Sequence, residues 1–154
     1  YTDQNVSHES IKKLLAAAMS APSAGNERPW HFIVVRDKEC LAQLSDASPY
    51  AKMTKDASVA IIVCGNLSLE KFQGYWVQDC SAATQNILLE VTELGLGAVW
   101  LGIYPLQDRV QYIQNLFSLP EHIVPFSVIR VGYPAQSPAA PDRYEESRVH
   151  HEVW

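Results

Sequence analysis

The sequence predicts one domain that mixes helices with strands, and three observations carry that prediction. Four apolar runs have strand length and turn-forming residues at their ends: Trp30 to Val35, Ser58 to Cys64, Ala98 to Leu101 and Val124 to Val131. A segment from about Val77 to Leu94 has helical periodicity but little polar surface, as a central helix packed on more than one neighbour does. From Gly132 the pattern breaks: Pro134, Pro138 and Pro141 with alanine and serine read as an extended arm over residues 132–154.

Composition agrees with a single domain over residues 1–154. A chain of 154 residues, 47% hydrophobic and 19% charged, can bury a real core. No stretch approaches the ~18 uninterrupted apolar residues of a membrane span. The net charge of −5, with no basic block, argues against nucleic acid or an anionic membrane as the main partner. Cys40, Cys64 and Cys80 stand far apart in apolar stretches, without a Cys-x-x-Cys, and read as reduced thiols of a cytoplasmic protein. No secretory signal peptide, internal repeat or second domain is visible.

Taken in order, Ser7 is an N-cap, with Val6 and Ile11 stapling across it. Ile11, Leu14, Leu15, Ala18 and Met19 then repeat at helical spacing, and Pro22 ends the helix. Trp30 to Val35 is a strand too apolar on both faces to be an edge. Asp37 caps a short helix carrying Leu41 and Leu44 inward. Ser58 to Cys64 is a second buried strand, stopped by Gly65-Asn66. The long helix follows, with Cys80, Ala83, Thr84, Ile87, Leu88, Val91 and Leu94 as its main stripe and Ala82, Leu89 and Thr92 opposite. Gly95 and Gly97 stop it before the third strand. Leu106, Val110, Ile113, Leu116 and Phe117 make a last amphipathic helix ahead of the fourth strand. The arm ends in Val149-His150-His151-Glu152-Val153-Trp154, whose apolar residues must dock somewhere.

The connection Ala21-Pro22-Ser23-Ala24-Gly25-Asn26-Glu27-Arg28-Pro29-Trp30 is the first candidate site. Its prolines fix φ, and the small residues between them let main-chain N–H groups turn towards a ligand. An ordinary surface loop would also fit this composition. Gly95-Leu96-Gly97-Ala98-Val99-Trp100-Leu101-Gly102 invites a dinucleotide-binding reading that fails. Trp100 stands where the third glycine belongs, and the cluster leaves a helix for a strand instead of the reverse. Arg143 sits in the arm, where a solvated charge is the ordinary role. Tyr75 and Trp76 are either core aromatics or the wall of a cavity. The five histidines are scattered without metal-ligand spacing, so no metal site is expected. Neither a Gly-x-Ser-x-Gly elbow nor a Ser, His and Asp signature is present.

Three separated pieces resemble the nitroreductase-like family of FMN-dependent oxidoreductases: Pro22 to Trp30 with its strand, Asp79 to Pro105 with Gly-Leu-Gly-x-x-Trp-Leu-Gly, and Gly132-Tyr133-Pro134 with Arg143. The resemblance covers essentially the whole chain. It implies an α+β fold, with a central, mainly antiparallel sheet flanked by helices, and an intertwined homodimer with FMN at the interface. In that likeness Pro22, Ser23, Ala24 and Asn26 approach the flavin, from the partner subunit. Gly102 and Ile103 present backbone beside it, and Arg143 holds the phosphate through paired charge-assisted bonds. Tyr75, Trp76 and Tyr104 wall the substrate pocket. Two departures stand out. The family's opening Arg-x-Ser-x-Arg, which also binds the phosphate, is not among these residues and is expected just upstream of Tyr1. Glu27-Arg28 also replaces a common glutamine before Pro-Trp.

The activity implied is hydride transfer from NAD(P)H through flavin N5 to a small electron-poor acceptor such as a nitroaromatic or quinone, by a ping-pong mechanism. No side chain is then the catalytic acid, base or nucleophile. The alternative is a non-catalytic flavin-binding or scaffold dimer of the same fold. Flavin enzymes that cleave rings with oxygen or remove halide from aromatics share the fold as well.

Overall fold

The structure is a computed structural model that describes residues 1–136 and 139–154. The core opens with α1 (His8–Met19), which buries Ile11, Leu14 and Ala18. Ser7 caps it, its Oγ accepting the Ser10 N–H at 3.0 Å, and Val6 is buried with Ile11 as the staple requires. β1 (Trp30–Val35) leads to α2 (Lys38–Leu44), whose cap Asp37 accepts the Cys40 N–H at 2.9 Å. β2 (Val59–Asn66), α3 (Trp76–Glu93), β3 (Gly97–Gly102), α4 (Gln107–Leu116) and β4 (Ile123–Gly132) follow.

The four strands form one sheet in the order β1-β2-β4-β3, every pairing antiparallel. β2 and β4 are central, and their side chains alternate between two covered faces. Val59, Ile61 and Val63 pack with Ile11, Leu14, Ala83 and Ile87 from α1 and α3. Ala60, Ile62 and Cys64 pack with Leu41, Leu44, Val110 and Ile113 from α2 and α4. Two covered faces explain why these strands read as continuous apolar runs. Each fully buried Val or Ile contributes about 1.5–3 kcal/mol.

β1 is an edge strand, contrary to the expectation drawn from its composition. Apolar content reports whether the two side-chain faces are covered, and Trp30 and Val35 are indeed buried. It does not report whether a neighbour occupies the hydrogen-bonding side. α3 meets the expectation of two neighbours, because it packs on the sheet and on α1. Asn86 Nδ2 donates to Ala17 O at 3.0 Å across the helix pair, and Thr84 Oγ1 pairs with Ser127 Oγ at 3.0 Å on the sheet side.

The arm after β4 contains one short 3₁₀ turn, Glu146–Arg148, among the described residues. Pro138 lies outside them. Val149, Val153 and Trp154 are exposed in the single chain, where Trp154 stacks only on His150 at 4.2 Å. No described helix is long and apolar enough to cross a membrane.

Candidate functional site

The loop from Pro22 to Arg28 holds three left-handed residues in quick succession: Gly25 (φ 51°), Asn26 (φ 55°) and Arg28 (φ 47°). Glycine adopts this region freely, and asparagine tolerates it through its short polar side chain. Arginine has no such excuse, so the loop must be held from outside, at a cost of about 1–2 kcal/mol. The bracing is dense. Arg28 N–H donates to Ser23 Oγ at 3.0 Å, closing the loop on itself. Ala24 N–H donates to Asp79 Oδ1 at 2.9 Å, tying the loop to the first turn of α3. Glu27 Oε2 accepts the N–H groups of Lys71 and Phe72 at 2.6 and 3.2 Å, and Lys71 Nζ returns to Gly25 O at 3.1 Å.

Glu27 and Asp79 are both buried, and the sequence reading did not single out Asp79 at all. Its signal was present: an acid in the first turn of an otherwise apolar helix, where the helix dipole favours a negative group. Burial pushes the Asp79 carboxyl above its ordinary range, the Ala24 N–H opposes that, and the Glu27 carboxyl and the Glu70 charge push it higher still.

Two grooves flank the loop. One, about 350 Å³, is lined by Pro22, Ser23, Ala24, Tyr75, Gln78 and Asp79, so the structure brings four of the expected residues together. The other, about 670 Å³, is lined by Glu27, Arg28, His31, Phe32 and Met19 among others, so Arg28 lines a different groove from Ser23 and Ala24 although its N–H bonds Ser23. Asn26 is exposed at the loop tip.

The remaining expected residues lie elsewhere in the chain. Gly102 is exposed at the end of β3, where its carbonyl accepts from Arg109 Nη1 at 2.9 Å. Ile103 is buried, and its N–H and that of Tyr104 both reach Phe126 O, at 3.2 and 3.1 Å. Tyr104 packs edge-on against Trp76 at 4.8 Å. Trp76 is itself a core residue, 6% exposed, whereas its neighbour Tyr75 is 47% exposed on the groove. Arg143 is exposed in the arm and has no ion-pair partner among the described residues. A further cation escaped the sequence reading. Arg130 on β4 has Nε and Nη1 buried without hydrogen-bond partners among the described residues, and its guanidinium 5.7 Å from the Tyr1 ring.

A four-stranded antiparallel sheet between helical layers, with a braced loop feeding β1 and a glycine-capped α3 feeding β3, defines a nitroreductase-fold protein. An FMN-dependent nitroreductase of Clostridium difficile has this structure, with a TM-score of 0.92 at 29% identity over all of this chain and 92% of that one. So does a protein of Desulfovibrio desulfuricans solved in complex with FMN and provisionally described as a nitroreductase, with a TM-score of 0.85 at 30% identity over all of this chain and 90% of that one. A protein of Methanothermobacter thermautotrophicus, provisionally named NADH dehydrogenase/NAD(P)H nitroreductase, is 58% identical over 154 residues, all of this chain and 81% of that one. The nitroreductase family's sequence model matches residues 1–57 and 47–133. This chain belongs to the nitroreductase family and is an oxidoreductase.

Proposed function

We propose that the chain is an FMN-dependent oxidoreductase that takes hydride from NAD(P)H and passes it to a small electron-poor acceptor, such as a nitroaromatic or quinone, by a ping-pong mechanism. The observation that carries this reading is the braced loop, which holds Pro22, Ser23 and Ala24 on one groove beside Tyr75. Their small side chains leave space for a planar ring to approach the backbone. Ser23 Oγ accepts the Arg28 N–H, so its own O–H is left to donate, and Asn26 is exposed three residues further along the loop. This donor set suits the heteroatom edge of a flavin, and FMN supplies the two-electron hydride chemistry when bound.

In this reading Ser23, Ala24 and Asn26 orient the ring, and Gly102 and Ile103 bound it from the end of β3. Arg143 grips the phosphate from the arm, as a free guanidinium can. Tyr75 lines the acceptor pocket, with Tyr104 and Trp76 shaping it from behind. These groups occupy separate parts of one chain, which suits a homodimer whose two subunits complete each site together. No acid, base or nucleophile is assigned to a side chain.

The test is spectroscopic. Protein reconstituted with FMN is expected to show bound-flavin absorption that bleaches on anaerobic addition of NADH or NADPH and returns with a nitroaromatic or quinone. Parallel double-reciprocal lines would support the ping-pong order. Bound flavin that does not bleach would leave a flavin-binding dimer without turnover, and no bound flavin would overturn the reading.

A further inference from the structure

Glu27 and Asp79 are the two buried acids of the described chain, 6% and 4% exposed. Each commits one oxygen to backbone N–H groups: Asp79 Oδ1 to Ala24 at 2.9 Å, and Glu27 Oε2 to Lys71 and Phe72 at 2.6 and 3.2 Å. The oxygens left over, Asp79 Oδ2 and Glu27 Oε1, are buried and have no hydrogen-bond partner among the described residues. Both acids converge on Ala24, whose N–H donates to Asp79 Oδ1 and whose carbonyl accepts the Glu27 N–H at 3.0 Å. Two ionised carboxylates cannot bond to each other, because both only accept. We propose that Glu27 and Asp79 share one proton, and that the resulting O–H···O bond latches the Pro22–Arg28 loop onto α3 in the form the flavin-facing groove requires. The flavin part of this proposal rests on the FMN reading above; the latch itself does not.

A carboxylic acid hydrogen-bonded to a carboxylate satisfies both leftover oxygens with one proton. Loss of that proton would leave two like charges in contact in a dry site. The other charged groups around the pair do not replace it. Glu70, on the segment before α3, adds negative charge. Lys71 spends its Nζ on Gly25 O at 3.1 Å. Arg28 and His31 line the larger groove together with Glu27 but make no ion pair with it among the described residues, and Cys80 beside Asp79 is a buried thiol. The pair is thus a positioning element, acting on Ser23 and Ala24 through the loop backbone.

The direction with pH follows. The folded chain keeps the Asp79 proton above the ordinary 3.8, whereas the unfolded chain releases it there. The latch therefore contributes fully below the ordinary carboxylate range and is lost as pH rises through the raised value. Amide substitutions separate the latch from simple packing. In Glu27→Gln the side-chain oxygen still accepts from Lys71 and Phe72, and the new NH₂ donates to Asp79 without any shared proton. Asp79→Asn does the same in reverse. The double variant sets two NH₂ groups face to face, with no acceptor between them.

The experiment follows thermal unfolding of the FMN-free protein and the ¹³C shifts of its carboxyl groups from about pH 4 to about pH 9. One carboxyl titration is expected above the ordinary range, with a Tm that falls by several degrees across it. Each single amide is expected to flatten that fall, the double variant to lower Tm at every pH, and His31→Gln to leave the profile as in the parent. FMN affinity, read by flavin fluorescence, is expected to weaken by up to about tenfold per pH unit over the same range in the parent. It should stay level in Glu27→Gln. Two carboxyls titrating in the ordinary range, or a Tm profile unchanged by either single amide, would overturn the latch. A parent that binds no FMN at any pH would instead overturn the flavin reading, and the unfolding and NMR data would still decide the latch.

Discussion

The Trp76 indole closes over Gly65 so tightly that a Cβ on that glycine would stand 2.4 Å from Trp76 Cε3. Gly65 lies on β2 opposite Trp30, and Trp76 opens α3, so the contact seats the start of the long helix on the sheet. Phe126 and Tyr104 close the cluster at ring separations of 6.2 and 4.8 Å. This packing holds Trp76 in the core while its neighbour Tyr75 stays exposed.

Gly65→Ala is therefore expected to destabilise the fold by about 1–3 kcal/mol through overpacking. Trp76→Phe opens a gap where the methyl group would fit, so the double variant should lose less than the sum of the two single losses. Urea unfolding of all four proteins measures the coupling. Strict additivity would show that the two residues do not press on each other.

The thiols offer a second check. Burial pushes the Cys64 thiol up to about 12 and raises Cys80 as well, with Cys64 and the Asp79 charge adding to the effect. At pH 8 a thiol of pKa about 12 is ionised in roughly one molecule in ten thousand, and the thiolate is the reactive form. A native thiol titration is expected to count at most one group, the half-buried Cys40, and denaturant should expose all three cysteines. Rapid labelling of Cys80 in the native protein would contradict the packing of α3 on the sheet, and rapid labelling of Cys64 the packing of β2 against α2 and α4.

Much of this molecule was legible because its signals are local. Ser7 and Asp37 cap the helices they were expected to cap, and the apolar runs became strands, the first with the expected ends and the others with ends within two residues of them. The loop from Pro22 to Arg28 was visible for the same reason: prolines and a glycine mark a special backbone wherever they meet. What stayed hidden depends on partners distant in sequence. Asp79 reads as one more helix acid until Ala24, 55 residues away, is seen to need its oxygen. Glu27 reads as surface charge until the Lys71 and Phe72 amides arrive. The edge position of β1 was misread because composition records side-chain burial and is blind to backbone pairing.

Arg143 tests the phosphate assignment. It is exposed, takes part in no ion pair among the described residues and belongs to no core cluster, so Arg143→Ala should leave Tm unchanged. Loss of a charge-assisted bond to phosphate is expected to weaken FMN by about 1.5–3 kcal/mol, roughly 10- to 150-fold. Riboflavin, which lacks the phosphate, should bind the variant and the parent alike. Equal losses for both ligands would place Arg143 in a structural role.

The last expectation concerns assembly. β1 presents an unpaired, largely apolar edge, a feature that proteins normally cover or blunt with charge. The groove of about 670 Å³ beside it is lined by Met19, Trp30 and Phe32, while Val153 and Trp154 stand exposed at the end of the arm. Among the described residues, one chain thus carries both a partly apolar trough and an apolar tail that its own fold does not join. A second copy would supply the missing half of each contact. Exchanged arms would also bury far more than the ~1,600 Å² of a standard interface. Sedimentation equilibrium at micromolar concentration is expected to give a dimer. Removal of residues 145–154 should weaken association and FMN binding together, because the site is read as shared between subunits. A stable folded monomer that still binds FMN would refute both the dimer and the shared site.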